Sequence, residues 1–225
     1  MEFHVHMFYM TDLDMSDMYD RIDTVNRNFK DNGCPIQFHL SNTTRIPKEF
    51  IDYGNDQEGW DLAARLQSTY AVIAPNTVNV FCGELENANG WASLPQEGTV
   101  NSQVVYINTS VMSRLFNNIA ETMTHEFGHW LGLPHTFDND CYPGDYVIDT
   151  PPANPSDRDS GWSSWWIAGL SSEKTCGYSK DQIENFMDYT ESASKFTPGQ
   201  VYRMMIFAFQ KLVGRMPRYE NGIIV

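Results

Sequence analysis

His125-Glu126-Phe127-Gly128-His129-Trp130-Leu131-Gly132-Leu133-Pro134-His135 is the stretch from which the rest of the chain can be read. On an α-helix of about 3.6 residues per turn, His125 and His129 lie one above the other, so both imidazoles can reach one ion. At about 100° per residue, Ile119, Met123, Trp130 and Leu131 gather on the far side, so the helix packs by one face and offers the histidines with the other. Gly132 follows the last periodic residue and suits a left-handed C-cap, a sharp turn after which His135 can return as a third ligand. Three histidines with a fourth position left for water make a catalytic zinc set rather than a closed structural one, and imidazole nitrogen favours Zn²⁺ over Ca²⁺ or Mg²⁺. Glu126 is turned about 100° around the helix from His125. There it can reach the water without binding the ion, and so act as general base in peptide hydrolysis and return the proton to the leaving amine. His4, His6 and His39 fall in strand-like segments and read as structural or surface residues.

Working outward from that helix, Phe3, Val5, Met7 and Tyr9 alternate as a strand, and Met18, Ile22, Val25 and Phe29 recur as one face of a helix from Ser16 to Lys30 ended by Asn32-Gly33. Ile36, Phe38 and Leu40 read as a short strand followed by a polar stretch, and Trp60 to Tyr70 as a helix. Val78 to Cys82 and Val104 to Ile107 are apolar enough to be interior strands. Gly90-Trp91-Ala92-Ser93-Leu94-Pro95 lies between them, and its proline suits an edge, where an extended peptide can add to the sheet. Arg114 to Leu131 reads as one long helix. From Gly132 to Lys195 the chain is rich in Pro, Gly, Ser and Asp. A last helix begins at Phe196-Thr197-Pro198, capped by Thr197, with Val201, Met204, Met205, Phe209 and Leu212 as its buried side. The expectation is a single α/β (α+β) catalytic domain over 1–225: an N-terminal lobe, 1–132, that includes the histidine helix, a C-terminal lobe, 133–225, and the zinc cleft between them.

Composition narrows the function. With 41% hydrophobic and 20% charged residues the chain can bury a core. Its 29 acidic against 15 basic side chains, a formal charge of −14, argue against nucleic acid or an anionic membrane as the main partner; cationic substrates or divalent cations would suit that field, and a merely charged soluble surface is the plainer reading. Protein or peptide substrates are expected from the histidine site, with a monomer as the default state. No apolar run approaches a membrane span, and the first residues lack the basic and apolar regions of an export signal, so any signal peptide or pro-segment is expected to lie outside this chain. Cys34, Cys82, Cys141 and Cys176 have no C-x-x-C spacing, which leaves disulfides or buried thiols but no zinc knuckle. Asn42-Thr43-Thr44 and Asn108-Thr109-Ser110 are glycosylation triplets that matter only in a host that uses them.

The histidine stretch resembles the H-E-x-x-H-x-x-G-x-x-H signature of the metzincin metallopeptidases, and Asn185-Phe186-Met187-Asp188-Tyr189 resembles their Met-turn. Within that clan His135-Thr136-Phe137, Asp149-Thr150-Pro151, the Met-turn and Phe196-Thr197-Pro198-Gly199-Gln200 through Arg203-Met204 are similar to the pappalysin family, particularly its ulilysin-like and fungal secreted members. The resemblance implies secretion, a twisted and mostly parallel sheet, and an edge strand around Trp91, Ala92 and Ser93 that pairs antiparallel with substrate. It implies that Met187 floors the metal and that Tyr189 stabilises the oxyanion. It also implies a Cys141–Cys176 disulfide and a calcium loop with Asp145 and Thr150 as ligands, with an ordinary solvated loop as the alternative there; Cys34 and Cys82 are either a second bridge between neighbouring strands or free thiols. Arginine-preferring members carry an Asp five residues after the Met of the Met-turn; Ser192, next to Glu191, stands there instead, so strict arginine preference is not expected. Trp162, Trp165 and Trp166 either shape the primed side or form a small core under a long loop, the core reading being preferred. A catalytically silent zinc-bearing binding module of the same fold is the competing reading, disfavoured because Glu126, the three histidines, Met187 and Tyr189 are all present. A gluzincin, which takes a Glu as third ligand, is disfavoured by the position of His135.

Overall fold

The computed structural model describes residues 1–48, 51–52, 64–86, 88–95, 103–112, 121–154, 174–177, 179–190, 193–213, 219–220 and 223–224. Ile119, Trp162, Trp165, Trp166, Glu191, Ser192 and the first part of the expected 60–70 helix lie outside them.

The alternation at the N-terminus forms β1 (Glu2–Tyr9), with Phe3, Val5 and Met7 fully buried on one face. Helix α1 (Met15–Asp31) follows, its first turn capped by Asp14, whose side chain accepts from the Ser16 N–H at 2.8 Å. It buries Met18, Ile22, Val25 and Phe29, and the chain leaves it through Gly33 at φ 74°. It then enters β2 (Gln37–Arg45), parallel to β1, so β1-α1-β2 is a crossover unit of the kind parallel strands require. Next come the short β3 (Ile51–Asp52), a helical segment at 64–70 (α2), β4 (Thr77–Gly83), β5 (Leu85–Glu86), β6 (Gly90–Ala92) and β7 (Val104–Asn108). The main sheet has the order β2-β1-β4-β7-β6; β6 alone is antiparallel and forms an edge, while β3 and β5 pair separately. Central strands buried on both faces explain the near-continuous apolar runs in β4 and β7. One face carries the main core, which reaches from Phe3 through Phe127 and Trp130 to Met187 and Met204. The other carries a smaller cluster around Phe8, Phe81 and Tyr106.

After β7 come a helical turn, α3 (Thr109–Met112), the histidine helix α4 (Thr122–Trp130), turns at the described residues that follow it, and α5 (Pro198–Leu212); β8 (Tyr219–Glu220) and β9 (Ile223–Ile224) form a further antiparallel pair. Thr197 caps α5 in a complete capping box with Gln200, and Pro198 opens it.

Four expectations are corrected. Strand β2 runs on through the polar Ser41–Arg45, because an outer strand needs only one apolar neighbour and His6 through Tyr9 of β1 continue the ladder. Helix α4 begins at Thr122 with Glu121 in the turn before it, so the expected helix is not continuous through 121, and its part at 114–120 lies outside the described residues. The buried side of α5 is Val201, Met204, Phe207, Ala208 and Lys211, while Phe209 is 60% exposed. The helix is rotated because Phe207 packs beneath Gly132 and Lys211 Nζ lies over the Trp130 ring, 3.8 Å from its centroid. Finally, Cys34 and Cys82 are buried free thiols. Cys82 faces Tyr9 at one end of β1, whereas Cys34 precedes the residue paired with Glu2 at the other. At about 3.3 Å per residue the two thiols are therefore roughly 20 Å apart along a strand that lies between theirs. Burial pushes them up to about 11 and about 12, so both are inert at neutral pH.

Candidate active site

Helix α4 is buried along nearly its whole length, and Met123, Trp130 and the following Leu131 pack into the core as its periodicity requires. Gly132 ends it at φ 89°, the left-handed cap expected there, and its carbonyl accepts from Arg203 Nε of α5 at 2.7 Å. Leu133 returns its N–H to Gly128 O and its carbonyl to the ring of His129. The chain is thereby folded back, and His135 comes beside the two helical histidines.

The three rings converge through their Nε2 atoms, 3.0 Å apart for His125 and His129 and 3.1 Å for His129 and His135. Each Nδ1 is engaged by oxygen: Phe186 O for His125 and Leu133 O for His129, both at 2.6 Å, and Asp138 Oδ1 for His135 at 3.2 Å. A carbonyl can only accept, so the proton of His125 and of His129 sits on Nδ1 and the Nε2 lone pair faces inward. Burial, reinforced by the neighbouring histidines, holds both rings neutral, His125 down at about 3 and His129 well below its ordinary value. Lone pairs aimed at one another this closely cannot hydrogen-bond and repel unless a cation lies among them. Tetrahedral zinc at about 2.0–2.1 Å from each nitrogen would set them about 3.3 Å apart, so the donor set fits zinc in number, chemistry and spacing. Among the described residues this is the single cluster of His, Cys, Asp or Glu able to hold an ion.

Glu126 is 5% exposed, and its Oε2 has no hydrogen-bond partner. Burial pushes its carboxyl well above the usual range. The side chain lies against the α-carbon of Gly90 on the edge strand, where an added Cβ would stand 2.7 Å from Oε1 and 2.8 Å from Cγ. Met187 is fully buried against Gly128, with its Sδ 2.5 Å from where a Cβ would be. The turn that delivers it is fixed by Asn185, whose Oδ1 accepts the Met187 N–H at 2.9 Å and whose amide is clasped by Gln200 at the start of α5. The Tyr189 ring stands 4.8 Å from that of His135 and 5.7 Å from that of His125. Burial, then the charges of Glu126 and Asp138, push its phenol up, which keeps it a donor.

The structure thus brings His125, Glu126, His129, His135, Met187 and Tyr189 together. Trp91 and Ala92 pair with Tyr106 and Val105, and Ser93 uses its hydroxyl to accept from Val104 N–H, so their side chains serve packing and what the strand offers outward is backbone. Asp145 and Thr150 are buried away from the histidines in the following loop; Asp145 Oδ1 accepts from Val147 N–H, Oδ2 is unpartnered, and burial pushes the carboxyl up to about 7. Cys141 and Cys176 are bonded, with 5.3 Å between their α-carbons. Sequence reasoning missed Asp138, and it named Gly90, Asn185 and Gln200 within the edge-strand, Met-turn and Phe196–Gln200 motifs without assigning them these roles.

The family model described as pregnancy-associated plasma protein-A, peptidase M43, matches residues 73–208. The chain belongs to this family. The M43 match bears out the pappalysin resemblance and, with the histidine cluster, makes the chain a metallopeptidase. An extracellular metalloprotease of Verticillium alfalfae is 30% identical over 88% of this chain and 69% of its own length. Extracellular metalloprotease 1 of Coccidioides posadasii is 31% identical over 82% of this chain and 66% of its own. This M43 chain therefore spans about two thirds of the length of those relatives. Among solved structures, metalloproteinase-II from Bacteroides fragilis is similar at 13% identity, with a TM-score of 0.49 over 92% of this chain and 52% of that one. No described helix is long and apolar enough to cross a membrane.

Proposed function

We propose that the chain is a secreted zinc endopeptidase that cleaves internal peptide bonds of proteins, with Glu126 as general base. The observation that carries this reading is the convergence of three Nε2 lone pairs, on His125, His129 and His135, next to a buried glutamate with an unpartnered oxygen. Zinc held there would supply Lewis acidity, polarising a carbonyl and lowering the pKa of a water to about 7. Glu126 takes the proton of the attacking water on its free oxygen. The same carboxyl then passes that proton to the departing amine. Tyr189, kept protonated by its surroundings, donates to the oxyanion as it develops. The edge strand Gly90–Ala92, continued by Ser93, aligns an extended substrate by main-chain hydrogen bonds. The extracellular names of the relatives support secretion, and Ser192 supports a primed-side preference that is not restricted to arginine.

The same reading assigns Ca²⁺ to the loop of Asp145 and Thr150, where a buried carboxylate oxygen lacks a partner. Cleavage of an unfolded protein by wild type and Glu126→Ala, each with its zinc content measured, tests the main assignment. The variant should retain zinc and lose activity, and equal cleavage by both would overturn the role of Glu126.

A further inference from the structure

The three metal-facing histidines are held from behind in two different ways. His125 and His129 lie on a helix, are buried, and donate through Nδ1 to main-chain oxygens that no substitution can remove. His135 lies in a turn, its side chain is 20% exposed, and its Nδ1 partner is a side chain. That partner makes a double grip. Asp138 Oδ1 lies 3.2 Å from the ring nitrogen, and Oδ2 accepts the backbone N–H of His135 itself at 2.9 Å. Phe137 stacks on the outer face of the ring at 4.7 Å and 7°. The His135 imidazole therefore has one edge fixed by a carboxylate and one face by an aromatic ring, with Nε2 as its remaining polar atom.

We propose that Asp138 is a positioning residue that sets how tightly this chain holds zinc, by orienting His135 and making its Nε2 a stronger donor. The assignment rests on the reading of His135 as the third metal ligand. A carboxylate behind an imidazole fixes the tautomer that leaves Nε2 free, and it adds electron density that a neutral carbonyl supplies less well. It also brings a negative charge near a divalent cation whose three ligands are neutral, where the local dielectric is low. Of the three ligands His135 is the one without helical support, so it has most to gain from being locked.

The carboxylate is separable from the folding of its loop. Beside the Asp138 carboxylate the turn is held by backbone bonds that any side chain at 138 leaves in place, with Asp138 N–H donating to His135 O at 3.1 Å, Thr136 N–H to Met187 O at 3.1 Å and Ala153 N–H to Thr136 O at 3.3 Å. The Asp138 side chain is 34% exposed, so its removal leaves water able to solvate what it held.

The test is zinc affinity, measured on the full chain by competition with a chromophoric chelator, for wild type, Asp138→Ala, Asp138→Asn and His135→Ala. Asp138→Ala should bind zinc roughly 10- to 100-fold more weakly, with the melting temperature of the metal-free protein unchanged. Asp138→Asn should fall between, because one amide oxygen can accept only one of the two N–H groups and the charge is lost; if the alanine variant does not fold, this isostere carries the test. In the cobalt-substituted protein both Asp138 variants should shift the visible ligand-field bands. Wild-type affinity in Asp138→Ala and Asp138→Asn, while His135→Ala loses zinc, would overturn the proposal alone. Full affinity in His135→Ala would overturn the ligand assignment beneath it. A loss of affinity matched by an equal fall in the stability of the metal-free protein would make Asp138 structural and also overturn the proposal.

Discussion

Replacing Gly90 by alanine should slow catalysis without unfolding the protein or releasing its metal. The residue lies in the three-residue edge strand β6, paired with Ile107, and its φ is outside the left-handed region, so the backbone accepts an L side chain without strain. The cost of the new methyl group is a collision. It would stand 2.8 Å from Glu126 Cγ, 3.1 Å from Cδ and 2.7 Å from Oε1. Carbon atoms rest at about 3.5–4.0 Å, so something must yield by about 0.7 Å or more. Strand β6 is tied to β7 by its ladder and by Asn108 N–H donating to Asn89 O, whereas Glu126 is a side chain with rotatable bonds, so the carboxylate moves. Misplacement of a reacting group by about 1 Å costs roughly 100-fold, and at that scale kcat should fall about 10- to 100-fold, or about 1.4–2.7 kcal/mol of barrier. Steady-state kinetics on a quenched peptide should show the loss in kcat with KM nearly unchanged, alongside wild-type zinc content and melting temperature. An unaltered kcat would refute the claim that the glycine holds the base in place, and a loss carried wholly by KM would show that the edge strand was damaged instead.

Other outcomes follow from features already described. Serine at both Cys141 and Cys176 should cost about 4 kcal/mol in urea unfolding, the chain-entropy value for a loop closed across a separation of 35 residues. Gly128→Ala drives a methyl group into Met187 Sδ, 2.5 Å away, and should lose about 1–3 kcal/mol of stability in thermal melts together with some zinc affinity. Lys211 is buried over the Trp130 ring, its Nζ has no hydrogen-bond partner, and burial pushes its ammonium down to about 7 from 10.5. Between those values the unfolded chain binds the proton and the folded one does not, so this lysine makes stability rise with pH from about 7 to about 10.5. Melting temperature measured across that window should climb less steeply in Lys211→Met, and parallel curves would refute it.

Elements whose signal is local were legible from the chain. The alternation at Phe3–Tyr9, the spacing of Met18, Ile22, Val25 and Phe29, the cap at Thr197 and the left-handed Gly132 each depend on neighbours within a few residues, and each stands where its pattern put it. The histidine cluster was legible for the same reason, since eleven consecutive residues contain His125, Glu126, His129 and His135. What stayed hidden depends on contacts between distant segments. The polar half of β2 is a strand because β1 lies beside it. The rotation of α5 is decided by Phe207 and Lys211 meeting Gly132 and Trp130 from more than seventy residues away. Strand order and the length of β1 together separate Cys34 from Cys82. Gly90 looks like any turn-prone glycine until Glu126 is seen against it.

Strand β6 closes one side of the main sheet, and no described strand lies beyond it. Anything that adds there must already be stretched out, because its main-chain donors and acceptors have to be free of helices and hairpins of its own. A target whose extended segments are all paired would present nothing to this edge until part of it opens. Its rate of destruction would then report how often that segment comes undone, so that targets are ranked by their local unfolding free energies before any side chain at the cut site is read.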